Sequence, residues 1–157
     1  MINLRKFTNK DIPYILENWV GTDKLDGAFK NDDQEKLEKR FSFWENETNA
    51  KGAKSFGFCI ELDKPIGAIW YTENTPNELT LSIYIDASFR GKGYGSQACK
   101  IAEESLKQKG FYVIKSSCRQ DNFKSIKLHE KLGFELLKKE LSPNGTPMIR
   151  WKKKLSN

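Results

Sequence analysis

Three glycines stand at alternate positions in the middle of the chain, in the run Arg90–Gly91–Lys92–Gly93–Tyr94–Gly95. Glycine lets the backbone turn tightly, and consecutive N–H groups can then point to one side and bind an anion. An apolar helical pattern begins directly after the run, so the positive end of a helix would add to the site. Arg90 and Lys92 contribute formal charge beside it. The spacing therefore predicts an anion-binding loop of pyrophosphate size, and a tight turn without a ligand is the alternative.

Two common nucleotide loops do not fit this run. A Walker loop needs G-x-x-x-x-G-K-[ST], which the run does not contain. A dinucleotide-binding loop needs a third glycine where Ser96 stands, and it belongs to the first strand–helix turn of its fold. Here the loop follows several predicted strands, so both nucleotide loops are disfavoured.

Metal and disulfide chemistry are not indicated by the remaining reactive side chains. Cys59, Cys99 and Cys118 are far apart and odd in number, and His129 is the only histidine. A structural zinc site needs about four ligands at short paired spacings. We therefore expect no metal, buried free thiols and a reducing, cytoplasmic location.

The composition is that of a folded chain with a positive balance. The 157 residues carry 27 Lys and Arg against 21 Asp and Glu, a net charge of +6. Residues 1–86 hold 11 basic and 15 acidic side chains, whereas residues 87–157 hold 16 and 6. A basic balance admits nucleic acid, a membrane surface or a phosphorylated ligand. No apolar run approaches the ~20 residues of a membrane span, and the Met1–Phe7 segment does not look like a secretory signal.

The elements that must position the loop follow from periodicity. A first helix is predicted after Thr8–Asp11 from Ile12, Ile15, Leu16 and Trp19, ending at Gly21–Thr22–Asp23, and a second from Leu37, Phe41 and Trp44. Strands are predicted over residues 2–8, about 54–61, 66–71, 79–86, 111–118, 134–141 and 147–154. A third helix buries Ala98, Ile101, Ala102 and Leu106 and stops at Gly110, and a fourth runs from Asn122 to Gly133.

Two stretches resemble the GNAT N-acetyltransferase superfamily. The pattern Arg90-x-x-Gly93-x-Gly95 after a strand is similar to the family's acetyl-CoA pyrophosphate loop, and the Asn122-led helix ending in Leu132–Gly133–Phe134 is similar to its second signature. The order of the predicted helices and strands along the chain is also similar to that of the family. The resemblance implies a mixed α/β (α+β) fold in one domain over residues 1–157. It has a mostly antiparallel twisted sheet of about seven strands with a splayed parallel pair, flanked by about four helices.

The resemblance also implies acetyl-CoA as co-substrate, lying between the splayed strands at 79–86 and 111–118. Backbone groups of Ile83, Tyr84 and Ile85 would pair with the pantetheine arm like an added strand. Asn122 and Ser125 would contact the far side of that arm or the leaving group. The pyrophosphate-binding residues that it implies are Arg90, Gly91, Lys92, Gly93, Tyr94, Gly95 and Ser96.

The implied reaction is direct attack of a neutral amine on the thioester within a ternary complex. It needs a deprotonated amine, a hydrogen-bond donor for the oxyanion and a proton for the departing thiolate. A backbone N–H near Ile85 is implied for the oxyanion. His129 stands where the family often has its Tyr acid, so His129 is the predicted catalytic acid, with a helix residue of no proton role as the alternative. The base stays open among water and three carboxylates, Glu61, Glu73 and Glu78.

The acceptor implied is a primary amine of a small molecule or of a peptide N-terminus. The acidic first half favours a cationic acceptor, and Leu128–His129 is similar to the phosphinothricin-acetyltransferase branch. Trp19 and Trp44 are expected in the core, while Trp70 and Tyr71 must face opposite sides of one strand. Neither nucleic acid nor membrane is expected as a partner, and a homodimer stays open. An acetyl-CoA sensor without turnover and a basic nucleic-acid-binding module are the alternative functions.

Overall fold

A single seven-stranded sheet organises the computed structural model, which describes residues 1–21 and 28–155. Its strands are β1 (Asn3–Arg5), β2 (Ser55–Glu61), β3 (Pro65–Thr75), β4 (Glu78–Ile85), β5 (Val113–Arg119), β6 (Glu135–Leu141) and β7 (Pro147–Lys154). They lie in the order β1-β2-β3-β4-β5-β7-β6. All neighbours are antiparallel except β4 and β5, which are parallel. The predicted mixed sheet with one parallel pair is confirmed.

Four helices cover the two faces of this sheet. They are α1 (Ile12–Asn18), α2 (Gln34–Glu45), α3 (Tyr94–Gln108) and α4 (Phe123–Lys131), with short 3-10 segments at Asn9–Asp11 and Ala87–Phe89. The start of the first helical segment is fixed by a reciprocal pair, in which the Thr8 side chain accepts from the Lys10 N–H and Asp11 accepts from the Thr8 N–H. Of the predicted break at Gly21–Asp23, only Gly21 lies within the described residues.

Each face of the sheet has its own core. Helices α1 and α2 cover an aromatic cluster in which Phe7 stacks on Phe41 at 4.7 Å between ring centroids, and Trp19 and Trp44 are buried as predicted. Helix α3 covers a cluster on the opposite face that is mostly aliphatic. Trp70 packs against the first cluster and Tyr71 lies in the second, so the prediction that they face opposite sides is confirmed.

The predicted burial of Ile101 is wrong, since 44% of it is exposed. Ala98, Ala102 and Leu106 are buried as expected, but the buried stripe of α3 widens on the other side, through Cys99 and Glu103. A charged residue therefore occupies a position that the apolar pattern could not show. Burial is tolerated there because the Glu103 carboxylate accepts a 2.8 Å bond from the Lys153 ammonium on β7.

The three cysteines are buried free thiols, as predicted. Burial raises the pKa of Cys59 and of Cys99 to about 12, so both are protonated and unreactive at neutral pH. Within residues 1–21 and 28–155, no helix has the length and apolar character needed to cross a membrane.

Candidate active site

A wedge-shaped cleft opens in the sheet between β4 and β5. These strands pair only over Glu78–Thr80 and Val113–Lys115, and no pairing joins them beyond those residues. The rest of β4, from Leu81 to Ile85, is therefore not paired with β5 and has an edge without a neighbouring strand on that side. Such an edge can take up an extended ligand as though it were another strand.

Two of the three predicted β4 residues direct their backbone groups into this cleft. The Asp86 N–H donates to the Ile66 carbonyl on β3. In an antiparallel pair the hydrogen-bonded positions alternate, so Tyr84 also bonds towards β3, whereas Ile83 and Ile85 face away from it. The Tyr84 side chain lies in the aromatic core beneath α1 and α2. The cleft edge is thus formed by alternate residues rather than by the continuous run Ile83–Ile85.

The glycine loop lies at the wide end of the cleft, between β4 and α3. Gly91 and Gly93 have φ values of +76° and +84°, a region that favours glycine, and added Cβ atoms there would meet nothing within 4 Å. Gly93 is the N-cap of α3 and supplies no side-chain cap, so the first N–H groups of the helix are available to a ligand. Gly95 lets the helix approach β4, because a Cβ there would lie 3.3 Å from Ile83 Cδ1.

The charged and aromatic residues of the loop already have protein contacts. The Arg90 Nε donates a 2.7 Å bond to the Ile85 carbonyl, and its guanidinium lies 5.8 Å from the centre of the Tyr84 ring. The Lys92 ammonium lies over the Phe89 ring, and Tyr94 packs near that ring at 6.4 Å. Ser96 is buried in the first turn of α3. Arg90 therefore helps to hold the end of β4 in place.

Helix α4 lies beside the cleft and carries the second group of predicted residues. The Asn122 side chain accepts from the Ser125 N–H at 3.1 Å and so caps the helix, the local role that its type suggested. The Ser125 hydroxyl lies 3.4 Å from His129 Nδ1. The predicted contacts of Asn122 and Ser125 with acetyl-CoA stay predictions.

His129 is enclosed, with 6% of its surface exposed. Its ring stacks on Trp151 at 5.1 Å and meets the edge of Phe134 at 5.2 Å. Its Nδ1 lies 2.7 Å from the Ser125 carbonyl oxygen, and its Nε2 lies 2.8 Å from the Ser116 hydroxyl on β5. Burial lowers the pKa of His129, so the neutral imidazole is favoured.

The three carboxylates considered as bases all have other partners. Glu61 accepts from Arg5 at the outer side of the sheet, and Glu73 accepts from the Asn77 N–H in the β3–β4 turn. Glu78 forms a 2.9 Å ion pair with Lys115 across the paired ends of β4 and β5. Among the residues that the structure describes, no three His, Cys, Asp or Glu side chains form a group that could hold a metal.

Two pockets lie on the sheet face that α1 and α2 only partly cover. One, of about 320 Å³, opens where β4 and β5 separate, and its polar lining is Thr80, Lys115, Ser116, Ser117, Lys138, Glu140 and Arg150. The other, of about 400 Å³, lies between α2 and β3, and its charged lining is Asp32, Lys36, Lys39 and Arg40. The Arg40 guanidinium there lies within 6.0 Å of three rings, Phe29, Trp44 and Trp70. Cations outnumber acids in both pockets.

Several residues of this region were not identified from the sequence, above all Ser116, Arg150 and Arg40. One signal was available on β5, where Lys115–Ser116–Ser117 interrupts an otherwise apolar strand. A central strand of a sheet that is covered on both faces is usually apolar, so a polar run in it indicates that this part of the strand lines a cleft. Arg40 and Arg150 resembled solvent-exposed charges, and only tertiary packing brings them to the same face.

Comparison with known proteins agrees with this geometry. A family described as "Acetyltransferase (GNAT) family" matches residues 18–134. An L-methionine sulfoximine/L-methionine sulfone acetyltransferase of Pseudomonas aeruginosa is 36% identical over 55 residues, which is 35% of this chain and 32% of that protein. The match thus spans about a third of that relative.

Two solved structures share the fold over nearly their whole length. An N-acetyltransferase from Staphylococcus aureus Mu50 has a TM-score of 0.77 at 21% identity, with 99% of each chain covered. The PaiA N-acetyltransferase from Thermoplasma acidophilum, solved in complex with coenzyme A, has a TM-score of 0.72 at 19% identity, covering 98% of this chain and 99% of that one. With the family match over residues 18–134, the splayed strand pair and the glycine loop, the chain belongs to the acetyltransferase (GNAT) family.

Proposed function

We propose that this protein is an acetyl-CoA-dependent N-acetyltransferase that acts on a primary amine. The observation that carries the proposal is the wedge between β4 and β5, with the uncapped N-terminus of α3 at its wide end. A free strand edge suits the amide-bearing pantetheine arm, and a helix N-terminus behind a glycine loop suits a pyrophosphate. The cleft therefore provides binding groups for both ends of one molecule.

The residues that would hold acetyl-CoA follow from this arrangement. Backbone groups of Ile83 and Ile85 would pair with the pantetheine, and the N–H groups from Gly91 to Ser96 would bind the pyrophosphate. Lys92 adds charge beside the phosphates. When bound, acetyl-CoA supplies an activated acetyl thioester. The backbone N–H of Ile85 points away from β3, but Ile85 lies at the glycine-loop end of β4 and its carbonyl accepts from Arg90. Its N–H is therefore available to the pantetheine rather than to an oxyanion formed where β4 and β5 separate.

We further propose that the acceptor amine also carries an anionic group, such as the carboxylate of an amino acid. The acidic first half of the sequence favours a cationic acceptor, but the side chains that border the exposed sheet face do not. In one pocket Lys115 is paired with Glu78, and Lys138 and Arg150 share Glu140, which leaves one cation in excess. In the other pocket Lys36, Lys39 and Arg40 outnumber Asp32. The Pseudomonas relative acts on L-methionine derivatives, which bear both an amine and a carboxylate.

A thiol-release assay with acetyl-CoA and a set of amines tests this function. We expect turnover with L-methionine sulfoximine and little with spermidine, which has no carboxylate, and mass spectrometry should find one acetyl group on the amine. Binding of acetyl-CoA without thiol release from any amine, peptides included, would favour the sensor. Binding of an oligonucleotide in place of acetyl-CoA would overturn the proposal.

The Arg150→Met variant tests the charge of the acceptor. Its KM for L-methionine sulfoximine should rise about tenfold, which corresponds to about 1.4 kcal/mol and to the loss of a hydrogen bond to a charged group. Lys51→Met, in an exposed loop after α2, is the matched control and should leave KM unchanged. An unaltered KM in Arg150→Met would remove this arginine from acceptor binding.

A further inference from the structure

A serine on β5 and the histidine on α4 form a hydrogen-bonded pair inside the protein. The Ser116 hydroxyl oxygen lies 2.8 Å from His129 Nε2, and 7% of Ser116 and 6% of His129 are exposed. Both groups are polar and nearly buried, so each depends on the other for its hydrogen bond. Sequence patterns identify His129 alone, because the two residues come from different elements.

The contact between the His129 ring and the Ser125 carbonyl determines which ring nitrogen carries the proton. Nδ1 lies 2.7 Å from the Ser125 carbonyl, and a carbonyl oxygen can only accept. Nδ1 is therefore protonated, and in the neutral ring Nε2 is an acceptor that takes the bond from the Ser116 hydroxyl. A hydroxyl bonded to a basic imidazole nitrogen, with the other nitrogen held by an acceptor, is the arrangement by which enzymes take up a proton through a hydroxyl.

The pair also lies at the position where the chemistry must occur. Ser116 directly follows Lys115, the last β5 residue to pair with β4, and it lines the pocket that opens there. The thioester of a molecule that lies between β4 and β5 would reach this region, and the Ser116 hydroxyl lies on the α4 side of the sheet, opposite to Lys115 and Ser117. Glu61 and Glu73 lie elsewhere, and Glu78, which lies at this end of the cleft, is engaged in an ion pair with Lys115.

We propose that Ser116 and His129 together act as a proton shuttle, with the Ser116 hydroxyl touching the reacting groups and His129 acting through it. This inference rests on the proposed acetyltransferase function. It differs from the expectation that His129 is a simple acid, because the pair first takes up a proton and then returns it. The lowered pKa of His129 agrees with this order, since the ring is neutral at rest and ready to accept.

Ser116 and His129 account for every proton transfer between the amine and the thiolate, and no other group is needed. The amine nitrogen attacks the thioester carbon, the N–C bond forms, and the intermediate carries an ammonium and an oxyanion. The ammonium gives a proton to Ser116 Oγ while the hydroxyl proton passes to His129 Nε2. The C–S bond then breaks, and the electron pair leaves with the sulfur. The imidazolium returns its proton through Ser116 to the thiolate, which gives CoA thiol and the amide.

Four variants at these two positions test the shuttle in the thiol-release assay. Ser116→Ala and Ser116→Val should lower kcat about 100-fold, a typical contribution of proton transfer, with little change in KM for acetyl-CoA. Ser116→Thr keeps the hydroxyl in a side chain of the same shape as Val, and it should restore kcat to within about threefold of wild type. His129→Gln should lower kcat by the same factor as Ser116→Ala. Ser105→Ala, on α3, is the control and should be unaffected.

The double variant gives the sharpest result. If the two residues act as one unit, Ser116→Ala combined with His129→Gln is no slower than either single variant. The shuttle would be overturned if the double variant showed the product of the two single losses in kcat. It would also be overturned if Ser116→Thr and Ser116→Val had equal kcat, or if Ser116→Ala kept the wild-type kcat. A wild-type protein that releases no thiol with any amine would instead overturn the proposed function, so the two failures are distinguishable.

Discussion

At the scale of single residues, His129 shows how neighbours decide what a side chain can do. An exposed imidazole at this point of the helix could donate a proton to a thiolate. In this protein the ring is stacked on Trp151 and bonded to Ser116 and to the Ser125 carbonyl, and burial favours its neutral form. These surroundings are the reason that we propose a proton shuttle with Ser116 rather than a simple acid.

The burial of His129 predicts how stability depends on pH. Its pKa is lowered in the folded protein, so below about pH 6.5, the ordinary value, the unfolded chain binds a proton more readily than the folded one. The free energy of unfolding should therefore fall as the pH drops through that value towards the lowered pKa of the fold. Urea unfolding at pH 7.5 and pH 5.5 measures this fall.

The control for this pH prediction is His129→Gln, which keeps a polar group but cannot titrate. Between the two pH values it should lose less stability than wild type. The other charged groups around this core, the Glu103–Lys153 pair, are the same in both proteins and cancel in the comparison. Equal losses in the two proteins would show that His129 is not held neutral by the fold.

Single site residues could be predicted from the sequence only where local backbone geometry requires a particular type. Gly93 and Asn122 are of this kind, since the first adopts a positive φ and the second caps a helix. Ser116, Arg40 and Arg150 are not, because their surroundings come from elements far away in the chain. The placement of Ile83 and Ile85 on the cleft edge and Tyr84 in the core needed the β3–β4 register.

At the scale of elements, the loop and helix after β4 act as one unit. Gly93 turns the chain and also leaves the first N–H groups of α3 without a side-chain cap. Gly95 brings the helix close to Ile83, one of the two residues on the cleft edge. Direct packing therefore holds the N-terminus of α3, where we propose that the phosphates bind, at a fixed distance from the β4 edge proposed for the pantetheine.

A valine at Gly93 tests this unit. It would add strain of about 1–2 kcal/mol at a positive φ and place a branched side chain in the open space of the loop. We expect the increase in melting temperature caused by acetyl-CoA to disappear. Gly110→Val, at the other end of the same helix with a φ of +91° and equally open space, is the matched control. Gly110→Val should lose about as much stability as Gly93→Val but should still melt at a higher temperature with acetyl-CoA. Equal loss of acetyl-CoA binding in both variants would contradict the assignment of the loop.

The elements themselves were largely predictable, because periodicity and turn residues act locally. The β2–β3 hairpin, helix α1 after its capped 3-10 segment, and the capped helix α4 were found where expected. The strand order was not derivable from periodicity, since β7 lies between β5 and β6 in the sheet. The burial of Ile101 was predicted wrongly because periodicity does not show the sheet beneath α3, which determines the face of the helix that is buried.

At the scale of the whole molecule, the sheet separates two kinds of environment. One face is covered by α3, and the other is partly covered by the aromatic core of α1 and α2, which leaves the β4–β5–β7 region open. The net positive second half of the chain contributes to both the loop and this open face. The charge of each sequence half does not show where the cations lie. Only the fold places those of β5 and β7 beside the site where an acceptor would enter.

The central claim is that acetyl-CoA lies along the free edge of β4, and isoleucine methyl NMR tests it most directly. In a titration of the isoleucine-labelled protein, the Ile83 and Ile85 methyl signals should shift and saturate at one equivalent of acetyl-CoA. Ile12 and Ile15, the buried residues of α1 on the other face of the sheet, should stay unchanged. Shifts that spare Ile83 and Ile85, or no shifts at all, would contradict the account.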